Sequence, residues 1–354
     1  MKILFLTPSF LPHLGGVEKH VAEVSKILSD RGNHVSVLTV AGQRGEEELK
    51  GVRVIRIGFR NHPFRRGAAV LRCLGVWLYL LARFSVLQTS EIIHLHDFET
   101  FLWVLPFLAF TRNRTFITFH GFEQVRPSRT SRIVRKVADS SVRGNLCIGG
   151  FIKKWYGTEP DYVLFGGVSL PNRNIAVGSP HKAVFVGRLT EDTAVMQYLE
   201  SCLILKEELM VEMEVHICGD GPLRSSISDY AGKNGLGVTL HGFVANPDRI
   251  VDMCGHVFAS GYLTILEGMV RRKPVYSIWT SQLKRDYLYS IPQADDKMFI
   301  SSSTRELADF IGGNVKAPDQ AKPRVDRAYE FALGETWEKV ASTYLALYQD
   351  KRGR

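Results

Sequence analysis

Cysteine is scarce. The five residues present, Cys73, Cys147, Cys202, Cys218 and Cys254, are isolated, odd in number and set in apolar patterns. That excludes a disulfide frame and a Cys-based zinc site, and it fits a reducing cytoplasm. No low-complexity tract argues for disorder. No apolar run is long and clean enough to span a bilayer: the best, from Ala68 to Leu87, is interrupted by Arg72 and Arg83 and reads as an interfacial or buried helix. The opening "MKILFLTPSF" has a lone lysine and no small-residue cleavage site, so a buried first strand is expected there, not a secretion signal. No stacking-aromatic or recognition-helix motif accompanies the basic residues, and nucleic acid is not an expected partner.

What is present is an ordinary globular composition, 45% hydrophobic and 23% charged over 354 residues, a length that predicts two domains. The net charge of +9 is unevenly spread. Residues 1–170 hold 23 Lys and Arg against 13 Asp and Glu, whereas residues 171–354 hold 22 against 23. Much of the excess lies in "RNHPFRR" (Arg60 to Arg66) and "RPSRTSRIVRK" (Arg126 to Lys136), where cations mix with apolar residues. Such a surface suits anionic lipid or a phosphorylated ligand, and equally a solvated face rich in arginine.

Short β-rich runs alternate with amphipathic stretches: "KILFLT", a helix over Val17 to Ser29, "HVSVLTV", "VRVIRIG", the helix from Ala68, "EIIHL", an apolar helix after Thr100, and "TFITF". This alternation predicts a parallel sheet with helices on both faces. The pattern lapses in "GGVSLPNRNIAVGSPH" (Gly166 to His181), read as a linker, and then restarts with "AVFVG", "MEVHICG", "VTLHG", "HVFAS", "PVYSIW" and "MFIS". The expected domains are therefore 1–170 and 171–335. The closing "ETWEKVASTYLALYQ" predicts a helix with no strand after it, expected to return to the first domain (336–354).

In doubly wound sheets ligands meet the carboxyl ends of strands, so the residues leaving each strand carry the information. Gly15 and Gly16 precede a helix, where close backbone approach and the dipole's positive end suit phosphate, although a plain turn explains a glycine pair equally well. His96 with Asp97 and His120 with Glu123 follow two predicted strands; His120 is placed to bond a sugar hydroxyl or to move a proton near neutral pH, while His96 and Asp97 could form a structural pair. Arg188 follows Gly187 after "VFV", where a guanidinium would fork onto phosphate. Gly219 and Asp220 in "ICGDGPLR" and Gly242 and Phe243 in "LHGFV" repeat the strand-to-glycine exit.

Taken together, "GGVEKH", "FHGFE", "FVGRL", "GDGPLR", "HGFV", "LEGM…KPV" and "TWEKVASTYLALY" resemble the motifs of family 4 glycosyltransferases, in the same order and across nearly the whole chain. The resemblance implies an α/β GT-B fold, two facing Rossmann-like domains with parallel sheets and a C-terminal helix returning to the first. It also implies a retaining transferase that uses a nucleotide diphosphate sugar, with no metal or other cofactor and no protein nucleophile. The donor would sit mainly on the second domain and a glycan or lipid-linked acceptor on the first. Carried over, Gly15 and Gly16 lie beside the donor phosphate, His120 near the transferred sugar and Arg188 on the diphosphate, the last two as catalytic groups. Gly187, Gly219, Asp220, Tyr262, Leu263 and Thr264 line the donor; Gly242, Phe243 and Val244 meet the base; Glu267 meets the ribose. His96, Asp97 and Glu123 fall on the acceptor side. The basic first half adds an anionic membrane surface as a partner, with the protein peripheral on its inner face.

The chain also departs from the pattern. The loop "GRLTEDTAVM" lacks the family's lysine, a missing charge-assisted contact worth roughly 1.5–3 kcal/mol, or about ten- to a hundredfold in affinity. Lys284 or Arg285 are the candidates to replace it. The first of two paired acids is replaced by Ala259, and the small residues before Pro274 are replaced by Arg271, Arg272 and Lys273. Thr264 and Glu267 fit a capping box, which would explain the glutamate without a ligand. The competing reading of these losses is a degenerate GT-B module with a regulatory or scaffold role; sugar-nucleotide epimerases and glycan phosphorylases share the fold.

Overall fold

A computed structural model describes residues 1–13, 15–58, 68–121, 127–171 and 177–350. The chain divides into two compact units, Met1–Leu164 with Trp337–Arg354, and Phe165–Thr336. Glu123 and the Arg60 to Arg66 stretch lie outside the described residues.

The first unit is built on β1 (Lys2–Thr7), β2 (His34–Thr39), β3 (Gly45–Leu49), β4 (Val52–Arg56), β5 (Ile92–His96), β6 (Thr115–Phe119), β7 (Gly144–Ile148) and β8 (Tyr162–Leu164). Their order is β3-β4-β2-β1-β5-β6-β7-β8. All neighbours are parallel except β3, which runs antiparallel to β4. β1 is central because Ile3, Leu4, Phe5 and Leu6 are all buried, as a strand covered by helices on both faces requires. β3 reads "GEEEL" and its glutamates are exposed, so an edge with charged side chains closes this end of the sheet.

The direction of winding switches between β1 and β5, from which connections run outward to opposite edges of the sheet. With right-handed crossovers, helix Gly16–Asp30 lies on one face, and helices Ala68–Ala82, Phe98–Val104 and Arg129–Ser141 lie on the other. Helix Trp337–Gln349 packs beside Gly16–Asp30, where Arg31 Nη1 donates to Ser342 Oγ at 2.9 Å, so the closing helix does return to the first unit.

The second unit holds β9 (Ser179–Val186), β10 (Glu214–Cys218), β11 (Gly237–Gly242), β12 (Cys254–Phe258), β13 (Val275–Ile278) and β14 (Phe299–Ser301). The order β11-β10-β9-β12-β13-β14 is parallel throughout. β9 begins inside the stretch read as linker. The core is aromatic at its centre: Tyr198 stacks on Phe258 at 4.9 Å, and Tyr276 stacks on Phe299 at 5.1 Å. The direction of winding switches between β9 and β12, which marks their carboxyl ends as the crevice where an α/β sheet receives ligands.

Candidate functional site

In the first unit the switch point lies between β1 and β5, and histidines fill it. His96, the last residue of β5, and His120, just beyond β6, bond each other through Nδ1 and Nε2 at 2.9 Å, their rings stacked 5.2 Å apart. His20 stands edge-on to His120 at 4.8 Å. Beneath them His20 Nε2 bonds the Tyr344 hydroxyl (2.9 Å), which bonds Thr118 Oγ1 (2.7 Å), which bonds His94 Nε2 (2.7 Å); His94 Nδ1 in turn bonds the Tyr348 hydroxyl (2.9 Å). The closing helix thus enters the site's foundation through two phenols.

These imidazoles are neutral. Burial pushes His20, His94 and His96 well below the ordinary histidine value, and burial with the Arg135 charge brings His120 to about 3. A role for His120 in proton transfer near neutral pH does not fit this environment; hydrogen bonding from a neutral ring does.

His96 and Asp97 do not pair. Asp97 sits at φ 72°, ψ 167°, a backbone region nearly reserved for glycine. Its carboxylate accepts from the Phe98 N–H at 3.3 Å and forms an ion pair with Arg135, whose Nη1 lies 3.0 Å away. Arg135, expected on a cationic surface helix, is instead completely buried, with the rings of Tyr156, Phe98 and Phe119 at 4.5, 5.0 and 5.5 Å. Its Nη2 donates to Gly121 O at 3.3 Å, so one guanidinium fixes the chain leaving both β5 and β6. Gly15 is the N-cap of helix Gly16–Asp30, with φ −124° and thus no need for a glycine conformation.

In the second unit the glycine exits interlock. Gly187 N–H bonds Cys218 O (3.1 Å), Leu189 N–H bonds Asp220 O (3.0 Å), and Gly219 N–H bonds Gly242 O (2.7 Å). A Cβ on Gly219 would stand 1.8 Å from Gly187 O, and one on Gly221 would stand 2.5 Å from Leu189 O. Backbone packed on backbone is therefore a sufficient reason for these glycines. Its product is a rigid rim over β9, β10 and β11 from which Arg188 projects, 71% exposed, its Nη2 at 2.9 Å from Asp192 Oδ2. Asp220 turns back on the Gly221 N–H at 2.8 Å; Phe243 is exposed and Val244 half-buried beyond Gly242, whose φ is +69°.

Helix Tyr262–Val270 follows β12, and its N-cap is Gly261, not Thr264. The predicted capping box is absent because Thr264 lies inside the first turn, where its hydroxyl donates to Val186 O at 3.0 Å and ties the helix to the end of β9. The Tyr262 N–H is taken by the Tyr287 hydroxyl at 2.8 Å, and the two rings stack at 4.0 Å. Leu263 is half-buried and lies against Gly166. Glu267 does not reach back to a cap. Its carboxylate meets Arg271 one turn on, and Arg271, itself buried, also bonds Asp248 (2.7 Å) and Asp252 (3.1 Å). Burial works against the Arg271 charge, and Glu267, Asp248 and Asp252 more than offset it. This explains the arginine where a small residue was expected: it anchors three acids. Ala259 is buried, and its carbonyl accepts from Ser277 Oγ (2.8 Å) and the Tyr198 hydroxyl (3.0 Å).

Sequence reasoning did not find Arg135, Arg271, Ser260 or the buried setting of Lys284, because their partners come from segments far apart. Among the described residues, no group of three or more His, Cys, Asp or Glu side chains is arranged to hold a metal ion.

Two parallel α/β sheets, each with a switch-point rim, one lined by histidine and one by arginine and interlocked glycines, are the architecture of the GT-B fold. Residues 14–156, within the first unit, match the model of Glycosyltransferase Family 4. Solved structures agree over nearly the full chain: sucrose-phosphate synthase from Thermosynechococcus elongatus (14% identity, 98% of each chain, TM-score 0.78), HepE from Anabaena in complex with UDP and glucose (16%, 98% of each, 0.71) and WaaG, a glycosyltransferase involved in lipopolysaccharide biosynthesis (15%, 96% of this chain and 99% of that one, 0.69). No curated protein matches the chain.

Proposed function

We propose that the chain moves a sugar, with retention, from a nucleotide diphosphate sugar held by the second unit to a glycan or lipid-linked acceptor held by the first. The observation that carries this reading is Arg188, exposed at the switch point on a rim stiffened by Gly187, Gly219 and Gly242. Its guanidinium forks onto the leaving diphosphate as the anomeric C–O bond breaks. The acceptor hydroxyl attacks from the same face, and its proton passes to a phosphate oxygen, so no protein base is needed. His120, neutral and braced by His96, bonds a hydroxyl of the transferred sugar; Gly15 and Gly16 bring a helix N-terminus to the phosphate. Glu267 meets the ribose, oriented by Arg271. A structure of the same fold, HepE, holds UDP and glucose.

Binding and hydrolysis of UDP-, GDP- and ADP-sugars test the reading. Tight binding of one class, lost in Arg188→Ala and weakened in Glu267→Ala, is expected. If none binds, the scaffold reading replaces it.

For the acceptor, the favoured source is a membrane surface. Helix Ala68–Ala82 is apolar on two faces: Val76 and Leu80 are buried, while Val70, Leu71, Leu74, Leu78 and Leu81 form a stripe within about 100° of arc, 44–69% exposed. Two helices away on the same face of the sheet, Arg129–Ser141 exposes Ile133 and Val137 among Arg129, Arg132 and Lys136. Apolar side chains among cations fit the headgroup boundary of an anionic bilayer. Among the described residues no helix is long and apolar enough to cross a membrane. Sedimentation with phosphatidylglycerol vesicles is expected to carry the protein down, and Leu71→Glu with Leu78→Glu to release it. Equal recovery with neutral and anionic vesicles would remove the membrane from this reading.

A further inference from the structure

Of the three lysines buried in the second unit, Lys273, Lys284 and Lys297, the first two lie at opposite ends of the same pair of strands. Lys273 precedes β13, at the amino ends, and donates to the carbonyls of Asp252 (3.0 Å) and Cys254 (2.5 Å). Its role is plain: it holds the end of helix Asp248–Met253 against the start of β12. Lys284 lies at the carboxyl ends. It is the third residue of helix Gln282–Leu288, whose N-cap Ser281 accepts its N–H at 3.2 Å. Only 4% exposed, its ammonium stands 4.6 Å from the Tyr287 ring and donates to the carbonyl and hydroxyl of Ser260, the latter at 2.8 Å. Ser260 is the second residue beyond β12, at the switch point. The charges that act on Lys284 are those of Asp192 and Arg188, from the loop that leaves β9.

Three strand exits therefore bring two cations and one carboxylate together. Stability does not call for this arrangement, since a buried ammonium loses its hydration and an apolar side chain of similar volume would cost less. A polyanion beside Arg188 would use both positive charges.

We propose that Lys284 is the second cation of the donor diphosphate site, supplied by the Gln282–Leu288 helix in place of the lysine absent from the loop after Arg188. The inference rests on the donor reading given above and adds to it the residue that completes the grip. Burial brings the Lys284 ammonium down to about 7, with Arg188 pushing the same way and Asp192 opposing. Near neutral pH the empty site is thus partly uncharged at this position, and a bound diphosphate draws a proton onto Nζ. Affinity is then fullest below pH 7 and weakens as pH rises. Among the described groups facing Lys284 are Arg188, Asp192, Tyr287 and Ser260, residue types that ordinarily keep their charge state between pH 6.5 and 8.5.

The test is calorimetric titration of UDP-glucose, GDP-mannose and ADP-glucose, diesters that do not titrate in this range, into the full chain at pH 6.5 and 8.5. For whichever binds, Lys284→Met and Lys284→Gln are expected to weaken affinity about ten- to a hundredfold at pH 6.5. They should also abolish the decline toward pH 8.5 and leave the melting temperature equal or higher. Lys273→Met, equally buried at the other end of the strands, is expected to keep the affinity and its pH dependence. Wild-type binding that is independent of pH, or Lys284 variants that bind like wild type, would overturn the proposal. If wild type binds no nucleotide sugar, the donor reading fails and this inference fails with it.

Discussion

Tyr344 in the first unit and Arg271 in the second each tie distant segments together, by opposite means. The Tyr344 hydroxyl joins His20 and Thr118, and through Thr118 reaches His94, in a network whose members are all neutral. The Arg271 guanidinium gathers Glu267, Asp248 and Asp252, and its strength is charge. A neutral network is indifferent to salt and fails when a proton is forced into it. A charged hub tolerates acid down to the carboxylate range and fails when one partner is deleted. The difference parallels the chemistry proposed for the two rims: hydroxyl recognition where the first unit's histidines stand, anion recognition where the second unit's arginine stands.

Acid is the largest lever on this comparison. His20, His94, His96 and His120 are held below their ordinary value in the folded chain, so the unfolded chain binds protons that the folded one refuses. Their contribution to stability is complete above about pH 6.5 and is lost as pH falls toward 3, at up to about 1.4 kcal/mol per histidine per pH unit. Urea unfolding from pH 7 to 5 should show the decline. Hydrogen exchange should show the first unit opening before the second, where His256, at about 4, adds a smaller term of the same sign. Simultaneous opening would mean that the histidine network is not the weak point.

Arg271→Ala should cost about 3–5 kcal/mol by leaving three acids without their shared partner, with the loss of protection confined to the second unit. Arg271→Lys, with no planar fork, should recover only part of it. A chain that melts unchanged would show that the carboxylates are solvated and the hub is ornamental. Next comes Gly219→Ala, whose Cβ must push Gly187 O aside. About 1–3 kcal/mol is expected, together with a loss of nucleotide-sugar affinity larger than the stability change explains, because Arg188 rides on the displaced loop. The smallest effect is that of Thr264→Ala, about 1 kcal/mol for the bond to Val186 O, restored by Thr264→Ser. Helix content should stay unchanged by circular dichroism, since Gly261 and not Thr264 is the cap.

The sheets were legible wherever strands are apolar and covered on both faces, as in "KILFLT", "EIIHL" and "MEVHICG". β3 was not, because "GEEEL" belongs to an exposed edge whose only requirement is a partner. β7 was not, because "GNLCI" carries a buried asparagine; Asn145 donates to the Glu159 carbonyl at 2.9 Å, and its N–H is accepted by Asp161. The rims were legible as positions, since residues leaving strands are easily marked, but not as chemistry. Thr264 and Glu267 have the spacing of a capping box, yet the same spacing occurs one step inside a helix, and only the φ of Gly261 and the presence of Arg271 decide between them. Arg135 has the look of a surface cation because the rings that enclose it, Phe98, Phe119 and Tyr156, belong to three separate segments. Lys284 escapes for the same reason: its hydrogen-bond partner is Ser260 and the charges around it come from Arg188 and Asp192.

The returning helix has a consequence for synthesis. His94 and Tyr348 are 254 residues apart, and Phe165–Thr336 lies wholly between the two parts of the first unit. A ribosome delivers the second unit complete and contiguous while the first still lacks the two phenols that finish its histidine network. The second unit is therefore free to fold first, and the nascent first unit waits with His20, His94 and Thr118 open to water until Tyr344 and Tyr348 emerge. The unit that carries Arg188 is assembled before the unit that carries the histidine network is complete.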